Sequence, residues 1–168
     1  MGLPAYSKLP EERRAPRMDL VALEPHGRGW RVVLWEAKLV GDARARCRGG
    51  DLPKVTKQLE AYERWLSDPG RENRVVDANR CNCRLLVGLH RIAKCLRTNM
   101  EHLGEGIQKI AESDAVPLSV DVKPRLLIIY DRKDGAFREN GHFEKLQRAG
   151  WQVKSVEKMS DLCLCEQA

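Results

Sequence analysis

The chain has 168 residues, 42% hydrophobic and 32% charged, a length and balance that fit one globular domain with its own core rather than a disordered segment. Its formal charge of +6 and isoelectric point near 9.1 favour an anionic partner, nucleic acid foremost, while an aromatic content of 5% argues against a base-stacking platform. Six cysteines, no apolar leader and no run approaching the roughly 20 apolar residues of a membrane span predict reduced thiols in a soluble cytoplasmic protein.

Residues 1–16 carry three prolines and the cluster Glu11, Glu12, Arg13, Arg14, and are expected to form a flexible arm. Residues 17–158 are expected to form one domain, followed by a tail over 159–168. Met18 to Leu23 and Trp30 to Val40 read as two strands, with Gly27 and Gly29 supplying the reversal between them. Gly41 to Asp51, with Arg44, Arg46, Arg48 and two glycines, reads as an exposed basic loop. Asp51 is the expected N-cap, with Pro53 in the first turn, of a helix whose Val55, Leu59, Tyr62 and Leu66 recur at helical spacing; Ser67-Asp68-Pro69-Gly70 ends it.

Over residues 73–112, Leu85, Leu89, Ile92, Leu96, Met100, Leu103, Ile107 and Ile110 step by three and four. This predicts two long amphipathic helices, or one interrupted near Gly104 and Gly106, and offers a surface for homodimerisation. Arg125 to Tyr130 reads as a central strand, His142 to Ala149 as a helix ending at Gly150, and Trp151 to Val156 as a further strand. The fold class is therefore α/β, a mixed sheet of about four strands flanked by helices.

If the hairpin turns between Gly27 and Arg28, Glu36 lies directly across from Asp19 and Lys38 across from Arg17. Directly opposed residues share a face with Cβ atoms about 4.5 to 5.5 Å apart, and strand alternation sends Lys38 to the same face as Glu36. Val21, Leu23, Val32 and Leu34 join them there, and Met18, Leu20, Val33, Trp35 and Leu39 take the other face. Two carboxylates on a half-buried hairpin repel, so something must neutralise them. Hard oxygen ligands with room for water suit Mg²⁺ or Mn²⁺.

Asp19, the triplet Glu36-Ala37-Lys38 and the following helix with Gln58 and Tyr62 resemble the PD-(D/E)XK nuclease superfamily. The resemblance spans Arg17 to about Leu66 closely and Arg125 to Val156 loosely. It implies a restriction-endonuclease-like core, metal binding by Asp19, Glu36 and the Ala37 carbonyl, and a water-orienting or charge-stabilising role for Lys38. It also implies catalytic support from Gln58 and, less directly, Tyr62, which share a helix face at i and i+4. Arg44, Arg46, Arg48 and Lys54 are then the expected contacts to DNA phosphates. Met18 stands where the motif has proline, and the eighteen residues before Asp19 are short for the helix and strand that usually precede it. Two functions are therefore expected: a metal-dependent DNA nuclease, or a truncated or inactive nuclease-like module that binds nucleic acid or a protein. Cys81-x-Cys83 and Cys163-x-Cys165 read as ordinary thiols before they read as a metal or cluster site.

Overall fold

A computed structural model describes residues 17–47, 49–97, 100–158 and 162. The arm expected over 1–16, Arg48, and Cys163 and Cys165 lie outside the described residues, and Leu162 alone is described from the expected tail. The elements run β1 (Leu20–His26), β2 (Gly29–Leu39), α1 (Val55–Leu66), α2 (Arg71–Leu96), α3 (Glu105–Glu112), β3 (Leu118–Val120), β4 (Arg125–Ile129), α4 (Ala136–Glu139), α5 (His142–Arg148) and β5 (Val153–Val156).

Gly27 takes φ +57° in the hairpin turn, a conformation open to glycine without a Cβ penalty. Pairing runs from Leu20 opposite Trp35 to His26 opposite Gly29. One step further sets Asp19 across from Glu36, the register expected from the sequence. Gly29 answers a different demand: a Cβ there would lie 2.3 Å from the carbonyl oxygen of Pro117, and Trp30 donates its N–H to that same oxygen at 2.9 Å.

The long strand β2 is the spine of a mixed five-stranded sheet. It pairs antiparallel with β1 on one edge, and parallel with β3 and then β4 along the other; β4 pairs parallel with β5. The sheet has one strand more than the four expected, because Leu118-Ser119-Val120 is too short to carry a period-two signal.

Alternation along β2 divides the core. On one face Val40, Leu126 and Ile128 pack with Val55 and Leu59 of α1, Phe137 of α4 and Leu146 of α5, and Val32 and Leu34 pack with Leu66 of α1 and Val75 and Val76 of α2. Glu36 and Lys38 separate these two apolar clusters along the strand. Met18 joins the second cluster, contrary to the expected face, because it precedes β1 and strand alternation does not reach it. The opposite face is built from Val33, Trp35, Leu127 and Val156, with Leu162 against them.

The helices depart from expectation at their ends. Lys54 rather than Asp51 takes the N-cap position of α1, with no side-chain cap; Pro53 precedes the helix and its carbonyl accepts the Thr56 hydroxyl at 2.8 Å. The segment 73–112 forms one long helix and one short one. Gly106 does not break a helix; it lies within α3, where a Cβ would come 2.6 Å from the Trp30 ring. The second half of α2 leaves Leu85, Leu89, Ile92 and Leu96 exposed, and Cys83 is its one buried residue. Among the described residues, no helix is long and apolar enough to cross a membrane.

A buried ion pair ties the hairpin to β4. Glu24 and Arg125 are 2% and 3% exposed, and the guanidinium grips the carboxylate through two bonds of 2.5 and 2.9 Å. Arg31 adds a bond to Glu24 at 3.2 Å and Asp121 one to Arg125 at 3.1 Å. Removing one partner leaves the other charge buried and uncompensated, so Arg125→Met is expected to lower stability by about 3 kcal/mol. Urea unfolding measures this, and a loss below about 1 kcal/mol, the ordinary worth of an exposed pair, would show that the grip contributes little.

Candidate functional site

Three elements bring the site together. Asp19 sits just ahead of β1 with its side chain 47% exposed, and its Oδ2 accepts the Ala37 N–H at 2.9 Å. Glu36 and Lys38, two residues apart on β2, are 2% and 5% exposed. Gln58 and Tyr62 reach them from one face of α1, whose other contacts seat it on the sheet through Val55, Leu59 and Leu66.

The Lys38 ammonium forms an ion pair with Glu36 Oε1, donates to the Ala37 carbonyl at 3.1 Å and stands 4.0 Å from Asp19 Oδ2. Gln58 Nε2 donates to the same Glu36 oxygen at 2.7 Å and also to the Tyr62 hydroxyl. Tyr62 in turn donates to the Arg17 carbonyl at 3.1 Å, fastening the segment that leads into Asp19. Burial pushes the Tyr62 phenol above its ordinary value; the bond from Gln58 opposes this, and Glu36 and Asp19 add to it.

The expected charge conflict is therefore half resolved within the protein. Lys38 balances one carboxylate, and Asp19 lies outside the strand on a backbone N–H. Two carboxylates against one ammonium leave one negative charge over, and Glu36 Oε2 is buried with no hydrogen-bond partner among the described residues. Such an orphaned oxygen, on a carboxylate that shares Lys38 with Asp19 and the Ala37 carbonyl, fits a hard divalent cation that keeps several waters. The described residues hold no group of three or more His, Cys, Asp or Glu able to take a metal by themselves, so water or substrate oxygens would have to complete the shell. Cys81 is exposed and Cys83 buried, on neighbouring positions of α2 that do not face one another.

The basic loop is more ordered than its composition suggests. Arg44 bonds Asp42 at 2.7 Å through Nη2, and its hydrogen bonds hold the Asp42 carboxyl below the usual range. Asp42 keeps the Arg44 guanidinium firmly protonated, with smaller contributions from Glu36 and Asp19, so Arg44 stands within electrostatic reach of the site. Arg46 is committed elsewhere: it donates to the Val40 carbonyl at 3.0 and 2.9 Å and pairs with Asp134. Exposed Lys54 lines a separate cleft of about 840 Å³ with Arg46, Cys47, Asn140, His142 and Lys145. Asp42, His142 and Lys145 had no signal in the sequence, since their partners are set by loop geometry or lie about a hundred residues away.

In that cleft His142 Nδ1 accepts the Cys47 N–H at 3.5 Å. Burial lowers the His142 pKa, Arg46 and Lys145 push the same way, and Asp134 opposes them. The unfolded chain thus binds this proton first, so stability falls as pH drops below about 6.5. His142→Gln is expected to flatten that part of the stability–pH curve, and an unchanged slope would contradict the assignment. At the site, Lys38→Met is expected to cost about 3 kcal/mol at neutral pH by stranding Glu36, with most of it recovered when Glu36→Gln is added. Urea unfolding in EDTA that shows Lys38→Met as stable as wild type would contradict the pairing.

Comparison with protein-family models, curated proteins and solved structures finds no match to this chain, so its own residues and geometry carry the functional reading.

Proposed function

We propose that the chain is a nuclease that hydrolyses DNA phosphodiester bonds with Mg²⁺ or Mn²⁺ held by Asp19, Glu36 and the Ala37 carbonyl, on a restriction-endonuclease-like core. The observation that carries the reading is the buried Glu36 Oε2, unpartnered among the described residues, on a carboxylate whose other oxygen pairs with Lys38, itself 4.0 Å from Asp19. A cation bound there would lower the pKa of a water and screen the phosphate in an in-line displacement.

The protein's own groups divide the remaining tasks. Gln58, anchored by Tyr62, bonds the same Glu36 oxygen as Lys38 and so leaves Oε2 to a ligand. Lys38, held between Glu36 and Asp19, supplies positive charge where negative charge accumulates on the phosphate, or a donor that orients the attacking water. Arg44 would hold a neighbouring phosphate by exchanging Asp42 for it. Lys54 would act farther along the backbone, and Arg46 supports the loop rather than the DNA.

A second reading follows from the Lys38–Glu36 pair itself. If the ammonium satisfies the site permanently, with only two acidic groups at hand among the described residues, the chain is a nuclease-like module that binds nucleic acid or a protein without cleaving.

Incubation with linear, nicked and circular DNA in Mg²⁺, Mn²⁺ or EDTA separates the two. Cleavage is expected with metal alone, falling about 10²-fold or more in Glu36→Ala and Lys38→Ala, the loss typical of deleting one charge-stabilising group. Equal trace activity in wild type and variants would remove the catalytic claim. Thermal stabilisation by Mn²⁺ that vanishes in Asp19→Ala is expected whether or not the right DNA substrate is supplied.

A further inference from the structure

A thiol and an imidazole meet in the cleft of about 840 Å³ beside the basic loop, and the proposed cation site uses neither. Cys47 is half-buried at the end of that loop, and His142, 7% exposed, opens α5. The Cys47 sulfur stands 3.7 Å from His142 Nδ1. That nitrogen also accepts the Cys47 N–H at 3.5 Å, so the neutral ring carries its proton on Nε2 and turns the Nδ1 lone pair to the thiol. Burial, Arg46 and Lys145 together outweigh Asp134 and keep the ring neutral at neutral pH. Nε2 of this nearly buried ring, which lines the cleft, has no hydrogen-bond partner among the described residues. The other described cysteines are placed differently. Cys83 is 3% exposed on an apolar pocket, and burial pushes its thiol up. Cys81 and Cys95 are exposed, and neither bonds an imidazole among the described residues.

Charge around the pair selects what can approach it. Lys54, Lys145 and Arg46 line the cleft against Asp51. Arg46 is neutralised by Asp134, whereas neither lysine forms an ion pair among the described residues; Lys145 donates to the Gly49 carbonyl and keeps further N–H donors. The cleft is therefore positive, with Asn140 and Nε2–H of His142 as added polar groups. No third His, Cys, Asp or Glu joins the pair to make a metal site among the described residues. A thiol with a base at hand in a positive cleft of this size fits a small anionic electrophile. Acyl transfer is poorly served, because the Cys47 N–H that would face an oxyanion is spent on His142. A disulfide needs no such donor, since its leaving sulfur takes up the charge.

We propose that Cys47 is a site of reversible S-thiolation by a small anionic disulfide of the glutathione class, seated in this cleft. His142 Nδ1 takes the thiol proton, the Cys47 sulfur attacks one sulfur of the disulfide, and the old S–S bond breaks as the new one forms. The departing thiolate recovers the proton from the imidazolium and leaves as a free thiol. Cys47 is thereby oxidised and half of the disulfide reduced, with no other oxidant needed. Lys54, Lys145 and Nε2–H of His142 hold the carboxylates of the incoming molecule. The site does not depend on the nuclease reading.

Time courses on the reduced full chain, quenched in acid and mapped by peptide mass spectrometry, test this with three disulfides: glutathione disulfide, neutral hydroxyethyl disulfide and cationic cystamine. Half-buried Cys47 is expected to react with glutathione disulfide ahead of exposed Cys81 and Cys95, an order that accessibility alone would invert, and the adduct is expected to be released by dithiothreitol. Its reaction with glutathione disulfide is expected to run about tenfold faster than with cystamine, the lower end of what a cleft of opposite charge does for a counter-ion. Lys54→Gln/Lys145→Gln is expected to lose that preference and keep the rate with the neutral disulfide. His142→Gln, with circular dichroism confirming its fold, is expected to slow all three to the rates of Cys81 and Cys95. Cys47 no faster than the exposed thiols, equal rates for the three disulfides, a preference that survives the double lysine substitution, or a rate unchanged in His142→Gln would each overturn the proposal.

Discussion

An ammonium and a carboxylate held almost out of water in the middle of β2 set the conditions for what surrounds them. Burying either charge alone costs several kcal/mol, so Lys38 and Glu36 are tolerated there only together and only with further hydrogen bonds. Gln58 supplies one to the carboxylate at 2.7 Å, which requires α1 to cross the sheet at a fixed height. Tyr62 then links Gln58 to the Arg17 carbonyl, and that holds the approach to Asp19. The apolar clusters on either side, around Leu34 and around Val40, keep water from relaxing the pair.

This arrangement is balanced neither in bonding nor in charge. Asp19 remains, close enough to feel Lys38 at 4.0 Å, and one oxygen of Glu36 lacks a partner among the described residues. A protein selected for stability alone would gain by replacing such a group with an apolar one of similar size. Buried polar atoms left in this state call for a reason, and a bound cation is the one we propose. The grip of Arg125 on Glu24 shows the contrast: there both carboxylate oxygens are bonded, and the atom left without a partner among the described residues is the guanidinium nitrogen Nε of Arg125, a donor that no cation would take.

What the sequence disclosed follows the range of the forces involved. The hairpin register was legible because Gly27 supplies the turn and period-two alternation fixes which residues oppose, so Asp19, Glu36 and Lys38 were placed correctly. Gln58 and Tyr62 were legible because four residues make a helix face. The commitment of Arg46 to Val40 and Asp134 was hidden, since a loop arginine reads alike whether it meets phosphate or a carbonyl. His142 against Cys47 and Arg125 against Glu24 join residues 95 and 101 positions apart, beyond any local pattern. Periodicity in α2 announced an apolar face correctly but not whether its partner lies in the same chain, and the exposed Leu85, Leu89, Ile92 and Leu96 show that this chain does not supply one among the described residues.

The proposed cleavage requires that a divalent cation join Asp19 and Glu36. A crystal soaked in Mn²⁺ and measured for anomalous scattering decides it. A single peak bonded to a carboxylate oxygen of Asp19 and to Glu36 Oε2, with Lys38 still beside the site, is the predicted result. No peak there at saturating Mn²⁺, with Lys38 unmoved on Glu36, would contradict it.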